Sequence, residues 1–178
     1  MNNEQQLNDN ELRALRRLID RQAIADCIHR YARGVDRDDE ELLRSAYHPD
    51  AVENHAGYVA SVDRLVPFLQ KVHAGYSGYQ RHLRNLTIDI DADGAHAETY
   101  FLSVIRSDGA EQLMLTGGRY VDRLERRDGD WRIVNRVAVI EWHGACEGGA
   151  PPQAAGVAPT LDRTDVSYQR PLVVAPRD

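Results

Sequence analysis

Four residues stand out as able to do chemistry together: Tyr31, Asp36, His82 and Arg136. Tyr31 lies on the apolar stripe of a helical pattern, and Asp36 follows five residues later, just past Gly34 and Val35. His82 opens an alternating stretch in phase with Leu86, Ile88 and Ile90, which places it on their interior face. If the Asp36 carboxylate meets His82, it fixes the imidazole tautomer and stabilises the protonated ring. His82 is then a competent general base near neutral pH. Arg136 stands among Val134, Ala138, Ile140 and Trp142 on one face of a strand pattern. A guanidinium buried there needs a carboxylate or a ligand as partner. Simpler readings stand beside these: Asp36 as a helix cap, His82 as a strand-end histidine, and Tyr31 as ordinary core.

Other chemistries find less support. His48 and His55 with Glu53 between them suggest metal ligands, yet there is no HExxH and no helical ligand spacing, so no metal is expected. Gly117-Gly118 falls inside a strand pattern without GxGxxG or GxxxxGK[ST], and reads as a bulge or a close packing point. No cofactor is expected. Cys27 and Cys146 form no CxxC pair and fit a reducing compartment, with a cytoplasmic location as the expectation.

The positioning elements follow from periodicity. Apolar residues from Glu11 to Val35 recur at three- and four-residue steps, a long amphipathic helix that Gly34 would end. Asp38 or Asp39 can cap a short second helix carrying Leu42, Leu43, Ala46 and Tyr47, stopped by His48-Pro49-Asp50. A short strand is expected near Val52. A third helix is expected after Ser61 or Asp63, with Pro67 tolerable only in its first turn. Beyond Gly75 to Gly78 the period becomes two. Four strands are expected, starting near His82, Ala95, Gln112 and Trp131, with turns at Asp91–Gly94, Ser107–Gly109 and Arg127–Asp130.

This pattern describes one α+β domain over 11–143, a bent antiparallel sheet folded over three N-terminal-half helices with a mostly apolar pocket at its open end. A polar segment, 1–10, precedes it, and a Gly/Pro/Ala-rich extension, 144–178, follows. The 178 residues carry a formal net charge of −6, with arginines scattered among acids, so no basic stripe for nucleic acid is expected. No run is long and apolar enough for a membrane span, so no membrane partner is expected.

Several segments resemble one family. Leu18 to Ile24, Tyr31-Ala32-Arg33-Gly34-Val35-Asp36, Tyr47-His48-Pro49-Asp50-Ala51, His82 ahead of Asn85-Leu86, and Gly118 to Asp122 are similar to SnoaL-like proteins of the nuclear transport factor 2-like superfamily. So is Arg126 to Ile133, and the similarity spans about Leu12 to Trp142. The resemblance implies a cone-shaped barrel of a curved, mainly antiparallel sheet. Within the superfamily the group of scytalone dehydratase, hexachlorocyclohexane dehydrochlorinase and bile-acid 7α-dehydratase is the most similar, and these cofactor-free enzymes use an Asp-His pair at the cone's mouth. By motif the aspartate falls on Asp36, the histidine on His82, the bile-acid enzyme's tyrosine on Tyr31 and the last-strand arginine on Arg136. The dehydrochlorinase has a lysine where this chain has Tyr31, which favours water elimination over dechlorination. Tyr47 and Tyr58 stand nearest the paired tyrosines of scytalone dehydratase, which have no secure match. Arg84, in phase with His82, points to a polar or anionic group on the substrate, or is swung outward by a bulge, and Trp142 is read as substrate-binding, in a lid or subunit-wrapping role with Leu172-Val173-Val174.

The expected function is therefore a cofactor-independent dehydratase-like lyase or isomerase acting on a small hydrophobic alicyclic, steroid-like or aromatic compound. The alternatives are a noncatalytic binding module, or a structural partner like the β-subunit of ring-hydroxylating dioxygenases. A homo-oligomer, trimer or dimer, is expected because such a sheet leaves a broad face to cover.

Overall fold

The computed structural model describes residues 7–148, 157 and 159–174. Met1–Gln6 of the polar leading segment, and much of the Gly/Pro/Ala-rich stretch, lie outside the described residues.

Helix α1 spans Asp9–Asp36. Asn8 and Glu11 start it with a capping box: the Asn8 side chain accepts from the Asn10 and Glu11 amides, and Glu11 accepts from the Asn8 amide. Its apolar stripe has two fates. From Ile24 onward the stripe is buried, whereas Leu12, Leu15, Leu18 and Ile19 stay exposed. Gly34 does not end the helix. It lies where the α2 backbone crosses, and a Cβ there would sit 2.6 Å from the Leu43 nitrogen. Helix α2, Glu40–Ser45, is capped by Asp39, whose carboxylate accepts from the Leu42 amide at 3.1 Å.

His48-Pro49-Asp50 does not merely stop α2; it belongs to strand β1, Tyr47–His55, which pairs with β2, Tyr58–Ser61. Helix α3, Val62–His73, buries Leu65, Val66 and Leu69. Pro67 lies in its second turn instead of its first, and is tolerated because both Pro67 and Asp63, whose carbonyl it leaves without a donor, are exposed to water.

Strands β3 (Tyr76–Asp91), β4 (Gly94–Ser107), β5 (Gln112–Arg127) and β6 (Asp130–Glu147) form an antiparallel meander. The six-stranded sheet runs β2-β1-β6-β5-β4-β3, with β1 and β6 its one parallel pair, so β2 and β3 are edges and the sheet is not closed. Strand β6 reaches Glu147, so the first residues after Gly144 extend the sheet. Its concave face packs on the three helices around Tyr31, Tyr47, Tyr120, Leu124 and Ile133.

The pairing of the meander shifts at Ser77, Asn85, Val134 and Glu141, and the shifts at Asn85 and Glu141 decide where His82, Arg84 and Trp142 point. On β3 the pairing steps from Arg84 opposite Tyr100 to Leu86 opposite Thr99, leaving Asn85 unpaired at φ 41°. On β6 it steps from Ile140 opposite Gly118 to Trp142 opposite Gly117, leaving Glu141 unpaired. Each extra residue reverses the side-chain phase of everything before it relative to everything after it.

Candidate functional site

A row of side chains crosses the concave face: Glu53 on β1 pairs in register with Arg136 on β6, which pairs with Asp122 on β5. Arg136 donates from Nε and Nη2 to the two Asp122 oxygens at 2.6 and 2.7 Å, with both side chains fully buried. The carboxylate partner that its position demanded is thus Asp122. Tyr31 and Tyr120 cover the guanidinium, with ring centres 4.0 and 4.3 Å from its central carbon.

Glu53 is wholly buried and accepts from the Tyr47 hydroxyl and from His55, whose Nδ1 is 2.6 Å from Oε1. Burial pushes the Glu53 carboxyl up, but the hydrogen bond from His55 and the charge of Arg136 outweigh it and hold the group below its usual range. A carboxylate anchors a histidine here on the concave face of β1, reached from the alternation of Ala51, Glu53 and His55. His55 keeps partial exposure beside Phe68, on which Tyr58 stacks at 4.2 Å. Tyr31 is edge-on to Tyr47 at 6.0 Å and its buried hydroxyl has no hydrogen-bond partner. Burial raises the phenols of Tyr31 and Tyr47 well above the ordinary value, so both keep their protons at neutral pH.

Asp36 closes α1, but it does not meet His82. Its Oδ2 accepts the backbone amide of Arg81 at 2.9 Å, and Oδ1 lies 3.5 Å from Arg81 Nη1. His82 is exposed, in the cross-strand row of Leu102, Gly117 and Trp142 on the convex face. The bulge at Asn85 is the reason. Leu86, Ile88 and Ile90 face inward, but on the other side of the bulge the inward set is Tyr79, Arg81 and Leu83. Arg84 is likewise outward and exposed, and the β6 bulge turns Trp142 out over Gly117. The sequence carried a signal for this switch: apolar residues at odd positions before Asn85, at even positions after it, and Asn itself, which tolerates the left-handed conformation.

Burial pushes the Asp36 carboxyl up more than the neighbouring Arg81 charge pulls it down. The Arg81 side chain is 3% exposed, donates to the Tyr79 hydroxyl, and lies over the Tyr79 and Tyr31 rings. Beside it a cleft of about 300 Å³ opens between α1 and β3, lined by His29, Ala32, Arg33, Asp36, Arg37 and Leu83. The C-terminal segment docks next to this mouth. Asp39 accepts from Arg163 and from the Tyr168 hydroxyl, both at 2.8 Å, and Arg33 lies 4.8 Å over the Tyr168 ring. Leu161 packs against the core.

His48 Nε2 contacts the Glu125 carbonyl at 3.0 Å, away from Glu53, and among the described residues no group of three His, Cys, Asp or Glu side chains is placed to hold a metal ion. Cys27 is buried, with its thiol pushed up to about 11 by burial, and donates to the Ala46 carbonyl; Cys146 is exposed and free.

Residues 16–137 match the SnoaL-like domain family. The chain belongs to that family. Among curated proteins none matches this SnoaL-like chain. Solved structures with the same fold include a hexachlorocyclohexane dehydrochlorinase, LinA type 2, 24% identical with a TM-score of 0.72 over 79% of this chain and 99% of that one. A second LinA structure is 25% identical, TM-score 0.72, over 78% and 99%. A scytalone dehydratase-like protein from Novosphingobium aromaticivorans is 19% identical, TM-score 0.66, over 79% and 97%. The SnoaL-like cone of this chain thus keeps the fold of those proteins, while the side chain facing Asp36 is an arginine.

Proposed function

We propose that this SnoaL-like protein is a cofactor-independent lyase or isomerase that moves a proton on a small alicyclic, steroid-like or aromatic compound, with Glu53 and His55 as its carboxylate–histidine pair. The 2.6 Å contact between the fully buried Glu53 and the partly exposed His55 carries this reading. Glu53 accepts from Nδ1–H, which leaves Nε2 with its lone pair free to take a proton from a carbon next to an activating carbonyl. The imidazolium that forms is stabilised by Glu53. In an elimination the bonding electrons of that C–H form the new double bond as the leaving group departs; in an isomerisation the same proton is returned to another carbon. The unpartnered Tyr31 hydroxyl is suited to donate to a developing oxyanion.

The test is solvent-deuterium exchange into cyclic ketones and β-hydroxy ketones, followed by NMR. Catalysed exchange should fall at least about 10²-fold in His55→Gln and persist in His82→Ala. Undiminished exchange in a folded His55→Gln protein removes the dyad from the mechanism. Bound ligands that never exchange would favour a noncatalytic binding module, a reading supported by Arg81 standing against Asp36.

We further propose a cytoplasmic homo-oligomer, trimer or dimer. Val121, Val137, Tyr100 and Trp142 on the convex sheet face, and Leu15, Leu18 and Ile19 on α1, leave apolar surface for a second copy to cover. No described helix is long and apolar enough to cross a membrane. Light scattering on the eluting protein should give a multiple of the chain mass, and a monomer at micromolar concentration overturns the assembly.

A further inference from the structure

The Arg81 guanidinium is desolvated, and its ion pair with Asp36 leaves its hydrogen bonding incomplete. Its side chain is 3% exposed, yet Nε and Nη1 have no hydrogen-bond acceptor. The nearest carboxylate oxygen, Asp36 Oδ1, stands 3.5 Å from Nη1 and is itself without a hydrogen bond, because Asp36 spends its other oxygen on the backbone amide of Arg81. A buried cation in this state is costly, and such costs persist where a ligand completes the set. The cleft beside it is lined by Arg33, Arg37 and Arg81 against the single acid Asp36, and although Arg37 is paired with Asp165 at 3.5 Å, its balance stays positive. Ala32 and Leu83 add apolar wall.

We propose that Arg81 anchors an anion subsite and that the ligand of this protein is a small carboxylic acid with an apolar ring or ring system. The proposal deepens the reading above by naming a substrate class, and rests on it only for what happens after binding. The carboxylate would take one of the two unpartnered donors, Nε–H or an Nη1–H, which lie on different edges of the guanidinium, leaving the ring against Ala32 and Leu83. It assigns to Arg81 the anion recognition that the sequence suggested for Arg84, whose side chain the bulge at Asn85 sends to the convex face.

Benzoate and cyclohexanecarboxylate are the probes, with benzamide as the neutral control, titrated into the full chain and followed by the backbone amide shifts of Asp36, Arg81 and Leu83. Benzoate should saturate at one site and bind at least tenfold tighter than benzamide. Arg81→Gln should weaken benzoate at least tenfold and leave benzamide within twofold. His82→Ala should keep benzoate binding within twofold, and because binding is read without turnover, failure of the acid–base reading and failure of this one are read separately. Equal affinity for benzoate and benzamide, benzoate binding that survives Arg81→Gln, or no saturable binding of either carboxylate overturns the proposal; the last result would mean that water serves the two nitrogens. If Arg81→Gln does not fold, the charge selectivity of the unaltered protein decides.

Discussion

Arg136 and Arg81 are both buried and both lie over Tyr31, yet only one is matched by a carboxylate in hydrogen-bond contact. Asp122 is the register partner of Arg136 on the neighbouring strand, so the ladder itself brings the pair to 2.6 and 2.7 Å. Asp36 reaches Arg81 from a helix end, and the first thing it satisfies is a spare amide of edge strand β3. The charge pair held within the sheet is bidentate and leaves only Arg136 Nη1 without a partner; the one made across the seam between a helix and a sheet edge leaves two nitrogens and a carboxylate oxygen open. The contrast separates a structural pair from a ligand-facing one. Proteins accept unsatisfied polar groups mainly where function uses them.

The largest expected effect tests the closed pair. Asp122→Asn or Arg136→Met leaves an uncompensated buried charge, or a buried carboxylate, and should cost about 3–5 kcal/mol in urea unfolding, whereas Arg136→Met with Asp122→Leu should recover most of it. Single variants as stable as the parent would erase the distinction. Next is His73, whose ring is tilted against Tyr79 with centres 4.8 Å apart near the open pair and whose pKa burial lowers to about 4. Below the unfolded value near 6.5 the unfolded chain binds a proton that the folded chain refuses, so stability should fall as pH drops from about 6.5 to 4, by up to about 3 kcal/mol. His73→Phe should flatten that slope, and an unchanged pH profile would show that the ring is solvated. A smaller effect is expected at the open pair: Arg81→Met should cost about 1–2 kcal/mol, since two of the nitrogens it removes have no acceptor and what is lost is the Tyr79 hydrogen bond and a loose contact with Asp36. A loss as large as that of Arg136→Met would mean that the two arginines are equally structural. The smallest is His82→Ala, which should alter stability by less than about 0.5 kcal/mol and leave benzoate binding unchanged.

Much of the fold was legible from periodicity. The stripe of Ile24, Ile28, Tyr31 and Val35, the change from period 3.6 to period 2 after Gly78, and the Asp-Gly turns specify helices packed on an antiparallel meander, because they report which faces must leave water. The site was legible only in part. Tyr31, Asp36 and Arg136 are inside as their patterns indicated, but His82, Arg84 and Trp142 are outside, and Glu53 with His55 drew notice only as weak metal candidates.

The sequence by itself determined the family, the order of elements and the presence of a buried guanidinium needing an acid, since these depend on local pattern and on the cost of burying charge. Which residues meet was decided by tertiary structure. One unpaired residue at Asn85 and another at Glu141 reverse the faces of the strand segments beyond them, and the register of β1 against β6 sets Glu53 beside Arg136. Both are properties of pairing between distant strands, where a shift of one residue costs little locally but moves every side chain to the opposite face.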